Sequence, residues 1–352
     1  MKDNSYTAKK VAAVEISPNK SISQLLSEMA RTGFQGRQLG RLCEIYEEMI
    51  RDEETTIMIG YAGSLSVAGQ WSIIRWLIEK RYVDVIVATG ANISEDIIDA
   101  MGAGYYQGSH RADDEDLFRN GINRYYDIYG LESDYIQMTE LISEFIMTLD
   151  KNHLYSSREF LYQIGLWLAG RGISSIVAEA AKQKVPVYCP AIIDSPYGDG
   201  ALIARSKGSE FKVDIVKDYV EFMSLADHVK QSGVFYIGGG VVKDFIQLFA
   251  ASSNLLKNDR QMPNRTDGLK RMGSSETYIP HKYALQITTD SPQWGGLSGC
   301  TFEEAISWGK EKDTGKTAQC FCDATIGLPI IMHALAEKAI SRKGTDLSFL
   351  FK

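Results

Sequence analysis

Six short apolar runs, each followed by a helix-like segment, constrain the fold of this chain more than any other feature. The runs cover residues 56–60, 83–89, 185–189, 233–237, 283–288 and 318–322. Mostly apolar runs of this length are typical of strands that are buried on both faces of a parallel sheet. The sequence therefore predicts an α/β fold with a doubly wound, mainly parallel sheet and helices on both faces.

The regions outside these runs also have recognisable patterns. Residues 36–51 carry one apolar stripe and, with 22–30, predict an added N-terminal helical region. The middle of the chain, 105–170, is predicted to be mostly helical. We expect residues 1–20 to be a flexible N-terminus and residues 21–352 to form a single α/β domain.

The composition is typical of a globular protein with a sizeable core, because 44% of the 352 residues are hydrophobic. A net charge of −7 argues against a general nucleic-acid surface and fits a neutral or cationic ligand better. The five cysteines and five histidines lack the spacing of a disulfide framework or a metal site, so we predict reduced thiols and no metal. The longest charge-free stretch, 55–74, is interrupted by glycines and polar residues, which favours strand, turn and helix over a membrane span. We expect a cytoplasmic protein.

Small and acidic residues follow the predicted strands at the ends where parallel α/β sheets bind ligands. The turns at 60–66, 89–92 and 238–243 are rich in glycine and small side chains. The last of them follows a strand and opens a helix, so its backbone amides suit a pyrophosphate. It lacks the G-x-G-x-x-G pattern, and any one such turn is more typical of ordinary chain reversal. Jointly the turns predict an extended cofactor, with Asp194 or Asp323 near ribose hydroxyls.

Acidic residues make a second pattern. Glu95, Asp199, Asp244 and Glu304 follow strand ends or precede residues 308–310, Trp-Gly-Lys. For any one of them, a helix cap or a partner of the helix dipole is the more common explanation. With the tryptophan, they would also suit an extended polyamine, whose ammonium groups pair with acids and with aromatic faces. On spacing alone, the Trp-Gly-Lys run is better explained as a frayed helix end whose lysine is solvated.

Several longer motifs, spread over most of the chain, resemble those of the deoxyhypusine synthase family. They are Thr32-Gly-Phe-Gln35, Asn120-Gly-Ile-Asn-Arg124, Asp194-x-x-x-Gly-Asp199, Gly238-Gly-Gly-Val-Val-Lys243, Glu304-Ala-Ile-Ser-Trp-Gly-Lys310 and Asp323-Ala324. The run at 304–310 is highly specific. The resemblance implies a Rossmann-like, NAD-binding fold and an NAD-dependent aminobutyl transferase that uses spermidine. Family members are homotetramers with sites shared between subunits, so we expect the same here.

The resemblance also implies roles for individual residues. Lys310 would attack an imine made from spermidine, release diaminopropane and carry the aminobutyl group to an acceptor amine, with Trp308 and Glu304 beside it. The NAD contacts would fall on Gly63, Ser64, Thr89, Gly90, Glu95, Asp194, Gly239, Thr289, Asp323 and Ala324. The polyamine contacts would fall on Glu95, Asp199, Glu304, Trp308 and Lys310.

The chain departs from the family pattern at several positions. Asp244 stands where deoxyhypusine synthases have a His, and Leu297 replaces an acid that would hold one end of spermidine. Asp290 replaces an Ala, and the polar, weakly periodic residues 257–282 are an insertion or lid. Asp244 would favour a small cationic acceptor, so we add it to the predicted substrate-binding residues. Whether Asp244 or His281 replaces the missing His is left open, although an ordinary surface His is the more common case for His281.

These features favour transfer of the aminobutyl group from spermidine to putrescine, which forms homospermidine. Deoxyhypusine synthesis on a protein lysine is one alternative, and a non-catalytic NAD or polyamine sensor is another. Agmatine also stays open as an acceptor. A simple NAD dehydrogenase ranks last, because it would not need Lys310.

Overall fold

The computed structural model describes residues 7–253 and 279–352. Its strands are β1 (Thr55–Tyr61), β2 (Val85–Ala88), β3 (Tyr105–Gln107), β4 (Ile122–Tyr125), β5 (Ile128–Leu131), β6 (Val187–Tyr188), β7 (Gln231–Ile237), β8 (His281–Thr288) and β9 (Glu311–Phe321). Its α-helices are α1 (Ile22–Met29), α2 (Phe34–Arg51), α3 (Trp71–Glu79), α4 (Asp96–Ala100), α5 (Asp114–Arg119), α6 (Glu132–Thr148), α7 (Ser157–Gly170), α8 (Ile176–Gln183), α9 (Pro196–Ser206), α10 (Ile215–Ser224), α11 (Val241–Ser252), α12 (Phe302–Ser307) and α13 (Ala324–Lys338). The predicted insertion at 257–282 lies outside the described residues up to 278, and its last residues lead into β8.

Six parallel strands form the central sheet, in the order β6-β2-β1-β7-β8-β9. Each strand contains part of one of the six apolar runs, so the prediction of a parallel α/β sheet is confirmed. The chain places β1, β2 and β6 outward in one direction and then returns to place β7 on the other side of β1. The strand order therefore reverses between β1 and β7, and a crevice forms at the carboxyl edge of a sheet at such a point.

Alternating side chains of the strands face two hydrophobic cores, one on each face of the sheet. Ile57 and Ile59 of β1 belong to the larger core, which includes the apolar stripe of α2. Met58, between them, belongs to the smaller core, which α10 and α11 cover. Helices therefore lie on both faces, and α1 and α2 are the added N-terminal helical region that the sequence predicts.

A second sheet, β3-β5-β4, is antiparallel and lies within the region predicted to be mostly helical. That prediction is wrong for these strands, although α5, α6 and α7 occupy the rest of the region. The strands have only three or four residues each, so their alternation is too short to recognise. In the turn between β4 and β5, Tyr126 has a φ of 55°. Sequence reasoning recognises such turns mainly by their glycine, and this turn has none.

The part of the chain that the structure describes has neither a membrane-spanning helix nor a cluster of metal-binding side chains. No helix there is long and apolar enough to cross a membrane. The charge-free stretch at 55–74 forms β1, a turn and the start of α3. Within 7–253 and 279–352, no group of three or more His, Cys, Asp or Glu side chains is arranged to hold a metal ion. All five cysteines are free thiols.

Candidate functional site

Two loops at the carboxyl ends of β1 and β2 are tied together by the buried Asn92. Its carboxamide accepts a hydrogen bond from an amide of the first loop at 3.1 Å and donates to the Gly63 carbonyl. It also donates to the Thr89 hydroxyl at 3.0 Å. The predicted cofactor residues Ser64 and Gly90 lie on the same two loops. Sequence reasoning did not single out Asn92, because an amide that bridges two loops leaves no local pattern.

The glycine-rich loop after β7 packs against the loop that follows β8. Gly238 and Gly240 have φ angles of 76° and 67°, a conformation that favours glycine. A Cβ on Gly239 would lie 2.4 Å from the Ser298 Cα, so the close approach of the two loops requires glycine. Ser298 in turn donates a hydrogen bond to the Asp290 carboxylate at 2.6 Å. This loop leads directly into α11, as the sequence predicts.

Glu95 is a buried carboxyl with an unpartnered oxygen at the end of the β2 loop. The residue is 6% exposed, and its Oε2 has no hydrogen-bond partner in the described part of the chain. Burial, helped by the charge of Asp96, raises the pKa of Glu95 to about 7. The phenol of Tyr135 donates to Asp199 at 2.6 Å, and the charges of Asp199 and Glu95 add to burial in raising the pKa of Tyr135. Two of the predicted ligand-binding acids therefore lie near one tyrosine.

Four further predicted cofactor residues lie at the carboxyl edge of the central sheet. Asp194 is exposed after β6, and Thr289 is exposed directly after β8. Asp323 follows β9 and caps α13, whose first residue is Ala324, by accepting a hydrogen bond from the Thr325 amide at 2.7 Å. Asp323 is therefore the N-cap of α13 as well as a residue at a strand end.

Lys310 forms an ion pair with Asp244, with 2.8 Å between Nζ and Oδ1. The lysine side chain is only 12% exposed, and its Nζ lies 5.5 Å from the centre of the Trp308 ring. A cation over an aromatic face is attracted by the ring quadrupole. The alternative of a solvated lysine at a frayed helix end is therefore wrong. Trp308 itself is 64% exposed.

Lys310 precedes a strand instead of following one, which the sequence does not reveal. Thr301 caps α12 by accepting a hydrogen bond from the Glu304 amide at 3.2 Å, and Gly309 reverses the chain with a φ of 75°. The Lys310 carbonyl then accepts a hydrogen bond from the His281 amide, the first of β8, at 3.1 Å. From there its side chain runs to Asp244 in the first turn of α11. The candidate nucleophile therefore lies at the amino end of β9, with its side chain along the flank of α11, and not at the carboxyl end of a strand.

Glu304 is less closely tied to this centre than the sequence predicts. It is exposed in the first turn of α12. Within the described residues, no hydrogen bond or ion pair joins it to Lys310 or Asp244. Its charge acts on the pKa values of Lys243 and of the Cys300 thiol. The structure thus brings Lys310, Trp308 and Asp244 together and leaves Glu304 beside them.

Two buried charged side chains beside the ion pair were missed by sequence reasoning. Lys243 is fully buried, and its Nζ donates to the Gln286 side chain at 2.9 Å and to the Cys300 carbonyl at 2.5 Å. Burial lowers the pKa of Lys243 to about 8. Glu311 is also fully buried, and it accepts one long hydrogen bond, 3.4 Å, from Gln247. Burial raises the pKa of Glu311 to about 8. Local patterns do not indicate that either side chain is buried.

His281 is a core residue and not the surface histidine that is the common case. It is 1% exposed at the start of β8. Its Nδ1 lies 2.7 Å from the Ser232 hydroxyl and its Nε2 lies 3.3 Å from the Ile246 carbonyl. Burial lowers the pKa of His281 to about 4, so the ring is neutral near pH 7. Because both ring nitrogens are engaged in the core, His281 is a poor replacement for the family's histidine.

We expect Glu311→Gln to stabilise the protein at high pH. The pKa of Glu311 is raised to about 8 from its usual 4.5, so the folded state binds more protons than the unfolded state between these values. The contribution of this group to stability therefore falls as the pH rises from about 4.5 to about 8. In denaturant unfolding near pH 9, the free energy of unfolding of Glu311→Gln should exceed that of the parent protein by about 1 to 3 kcal/mol. This difference should shrink toward pH 5. The exposed Glu303→Gln is the control. An equal difference at both pH values would contradict the prediction.

Comparison with known proteins places the chain in a family. A family model described as deoxyhypusine synthase matches residues 24–335. The chain belongs to the deoxyhypusine synthase family. It is 39% identical to probable deoxyhypusine synthase 2 of Methanosarcina mazei over 98% of this chain and 95% of that protein. It is 42% identical to probable deoxyhypusine synthase 2 of Archaeoglobus fulgidus, over 87% of this chain and 95% of that protein.

The family assignment confirms the resemblance seen in the sequence and makes the chain a transferase. A deoxyhypusine synthase-like protein of Chlorobaculum parvum is 34% identical over 88% of this chain and 85% of its own length. A crystal structure assigned to a deoxyhypusine synthase from Entamoeba histolytica has a TM-score of 0.62 at 18% identity, and the match covers 94% of this chain and 98% of that chain. The ternary complex of AgrE with ornithine and NAD+ has a TM-score of 0.51 at 12% identity, over 87% of this chain and 34% of that chain. These two likenesses concern the fold.

Proposed function

We propose that this family member transfers the aminobutyl group of spermidine to putrescine, forming homospermidine and releasing diaminopropane. The observation that carries the proposal is the ion pair between Lys310 and Asp244, at 2.8 Å, beside the Trp308 ring. An acid at this position suits an acceptor that brings its own ammonium group, since such pairs form charge-assisted hydrogen bonds. Asp244 is 37% exposed at its side chain, so a small diamine can reach it.

The residues at the carboxyl edge of the sheet fit NAD, in a Rossmann-like arrangement. The strand order reverses at the crevice between β1 and β7, and the glycine loop at 238–240 and the loops tied by Asn92 flank it. The buried Glu95 has an oxygen without a partner among the residues that the structure describes, which suits a ribose hydroxyl or a substrate ammonium. When bound, NAD supplies a hydride acceptor for the carbon beside the secondary amine of spermidine, and a hydride donor at the end of the cycle.

The chain's own residues supply the group transfer. The Lys310 ammonium must lose a proton before it attacks, because only the neutral amine is nucleophilic. Substrate ammonium groups compete for Asp244 and so release Lys310 from its ion pair. The Lys310 nitrogen then bonds to the aminobutyl carbon, and the bond from that carbon to diaminopropane breaks. The acceptor amine next displaces Lys310, while the exposed Trp308 offers an aromatic face to the cationic chain.

Mass analysis of the small amines tests this function. The protein is incubated with NAD, spermidine and an excess of putrescine, and we expect equal amounts of homospermidine and diaminopropane. Diaminopropane without homospermidine would retain the chemistry of Lys310 but require another acceptor, with agmatine the next to be supplied. If neither product forms, the proposed transfer is wrong and a non-catalytic sensor of NAD or polyamines becomes the better explanation.

Deoxyhypusine synthesis on a protein lysine is the second candidate. It is favoured by the names of the relatives at 39% and 42% identity, both probable deoxyhypusine synthases. Spermidine labelled in its butyl group distinguishes the two functions when putrescine and a translation factor with a target lysine are supplied together. We expect the label in homospermidine. Label retained on the translation factor would favour the second candidate.

We also propose that the chain forms a homotetramer. Several large apolar side chains are exposed in the single chain, and contacts with other subunits would cover those that lie together in a patch. They include Phe118, Ile193, Leu202, Trp294 and Trp308, with exposures between 64% and 85%. Sedimentation equilibrium of the purified protein gives the mass directly, and a monomer would contradict this proposal.

A further inference from the structure

Glu311 and Lys310 are neighbours in the chain whose side chains end on the same helix. Lys310 Nζ contacts Asp244 in the first turn of α11, and the Glu311 carboxyl contacts Gln247 on that helix. Residues three apart lie on one face of a helix, roughly 5 to 6 Å apart at Cβ. The charges of Lys243 and Lys310 both oppose the effect of burial on the Glu311 pKa, as expected for groups near the carboxyl. The Glu311 carboxyl and the candidate nucleophile therefore lie along the same stretch of α11, although no ion pair joins them among the described residues.

The polar atoms around this carboxyl have unused hydrogen-bonding capacity. Glu311 Oε2, Gln247 Oε1 and the Tyr236 hydroxyl are all buried and have no hydrogen-bond partner among residues 7–253 and 279–352. A buried carboxyl without a close partner is unfavourable for folding. The packing of β9 therefore does not account for a glutamate here, whereas a perturbed acid beside a nucleophile is typical of a functional site.

The other titratable groups around the Glu311 carboxyl are less suited to accept a proton from Lys310. Tyr236 from β7 keeps its proton, because burial raises its pKa well above the usual value. The His281 ring from β8 is neutral and bonded within the core. Lys243 from α11 donates two hydrogen bonds, and Asp244 is held in the ion pair. Glu304 also has no ion pair among the described residues, but it is exposed. Glu311 is therefore the buried carboxyl beside Lys310 that no described ion pair holds.

We infer that Glu311 is the acid–base partner of Lys310. The inference rests on the proposed function. When a substrate ammonium takes Asp244, the freed Lys310 side chain turns toward Glu311 and its Nζ passes a proton to the Glu311 carboxylate, so an N–H bond breaks and an O–H bond forms. An ammonium and a carboxylate thereby become a neutral amine and a neutral acid, which a buried site favours. When the acceptor amine displaces Lys310, the same proton returns to Nζ.

The pH dependence of Lys310 reactivity follows from this role. Burial raises the Glu311 pKa to about 8, so the carboxylate that accepts the proton is present above that pH and scarce below it. Imine formation on Lys310 should therefore accelerate as the pH rises through about 8. Lys243, whose pKa is lowered to about 8, titrates in the same range. The two contributions are separated in Glu311→Gln, which retains Lys243.

A charged aldehyde tests the inference without spermidine or NAD. The non-cyclising 4-(trimethylammonio)butanal forms an imine on Lys310, cyanoborohydride reduces it, and peptide mass analysis gives the labelling rate. In Glu311→Gln we expect the rate near pH 8.5 to fall at least about 10-fold and its rise with pH to flatten. Glu303→Gln, an exposed acid on α12, should label like the parent protein. Glu311→Asp, which retains an acid, should restore part of the pH dependence.

The outcomes separate this inference from the proposed function. Parent-like labelling and an unchanged pH profile in Glu311→Gln would overturn the role of Glu311, even if the parent protein makes homospermidine. Labelling that depends on Glu311 in a protein that makes no homospermidine would support the acid–base pair and contradict the proposed function. A structural role alone predicts an equal loss of labelling at every pH, which would also overturn the inference.

Discussion

Replacing Lys310 with Ala is expected to lower the formation of homospermidine and diaminopropane at least about 1,000-fold. The proposed transfer needs a nitrogen that bonds to the aminobutyl carbon, and Lys310 is the lysine that contacts Asp244 beside Trp308. The nearby Lys243 is not a substitute, because its Nζ is buried and bonded to Gln286 and to the Cys300 carbonyl. Mass analysis of both amines, with the parent protein alongside, gives the fold change.

Lys310→Arg is the matched control for this prediction. Arginine keeps the positive charge that pairs with Asp244 but does not form an imine, so loss of product in both variants would identify the nucleophile. Borohydride treatment of the parent protein with NAD and spermidine should add one aminobutyl group to the peptide that contains Lys310. Product formation within about 10-fold of the parent in Lys310→Ala would remove the lysine from the proposed mechanism.

The main sheet was predictable from sequence because buried parallel strands are apolar on both faces. Ile57, Met58 and Ile59 face alternate cores, and both cores are covered by helices, so β1 needs no polar residue on either side. The strands β3 to β5 were not predictable, since they are short and partly exposed, and the turn at Tyr126 that joins β4 and β5 has no glycine. Strand recognition therefore succeeded where both faces were buried and failed where they were not.

The candidate site was only partly predictable, because its central contacts are long-range. The ion pair joins positions 66 residues apart, and the Glu311 carboxyl meets Gln247 across 64 residues. The family motifs indicated Lys310 and the departure at Asp244, but neither shows that the side chains touch. No local pattern indicates that Lys243 and Glu311 are buried, because charged residues are exposed in most proteins. Packing of β9 and α11 decides these features.

Asp244→Asn is expected to lower kcat/KM for putrescine roughly 10- to 100-fold, mainly through KM. The change removes the charge from the acid that pairs with Lys310 and, in our proposal, with the ammonium of the acceptor. Diaminopropane release without an acceptor should fall less, because Lys310 is retained and its ion pair no longer holds it. Initial rates over a range of putrescine concentrations, with both amines quantified, measure this difference.

Asp134→Asn is the matched control for Asp244→Asn, because Asp134 occupies the first turn of α6 as Asp244 occupies the first turn of α11. Both changes weaken the interaction of an acid with a helix dipole, at a cost of roughly 0.3 to 1 kcal/mol. Only Asp244→Asn should change the KM for putrescine. If homospermidine and diaminopropane fall equally in that variant, Asp244 acts on the donor step, and an acid that binds the acceptor must be sought elsewhere.

Asp244→His tests whether the histidine of the family redirects transfer to a protein lysine, because this change removes the acid that favours a free diamine.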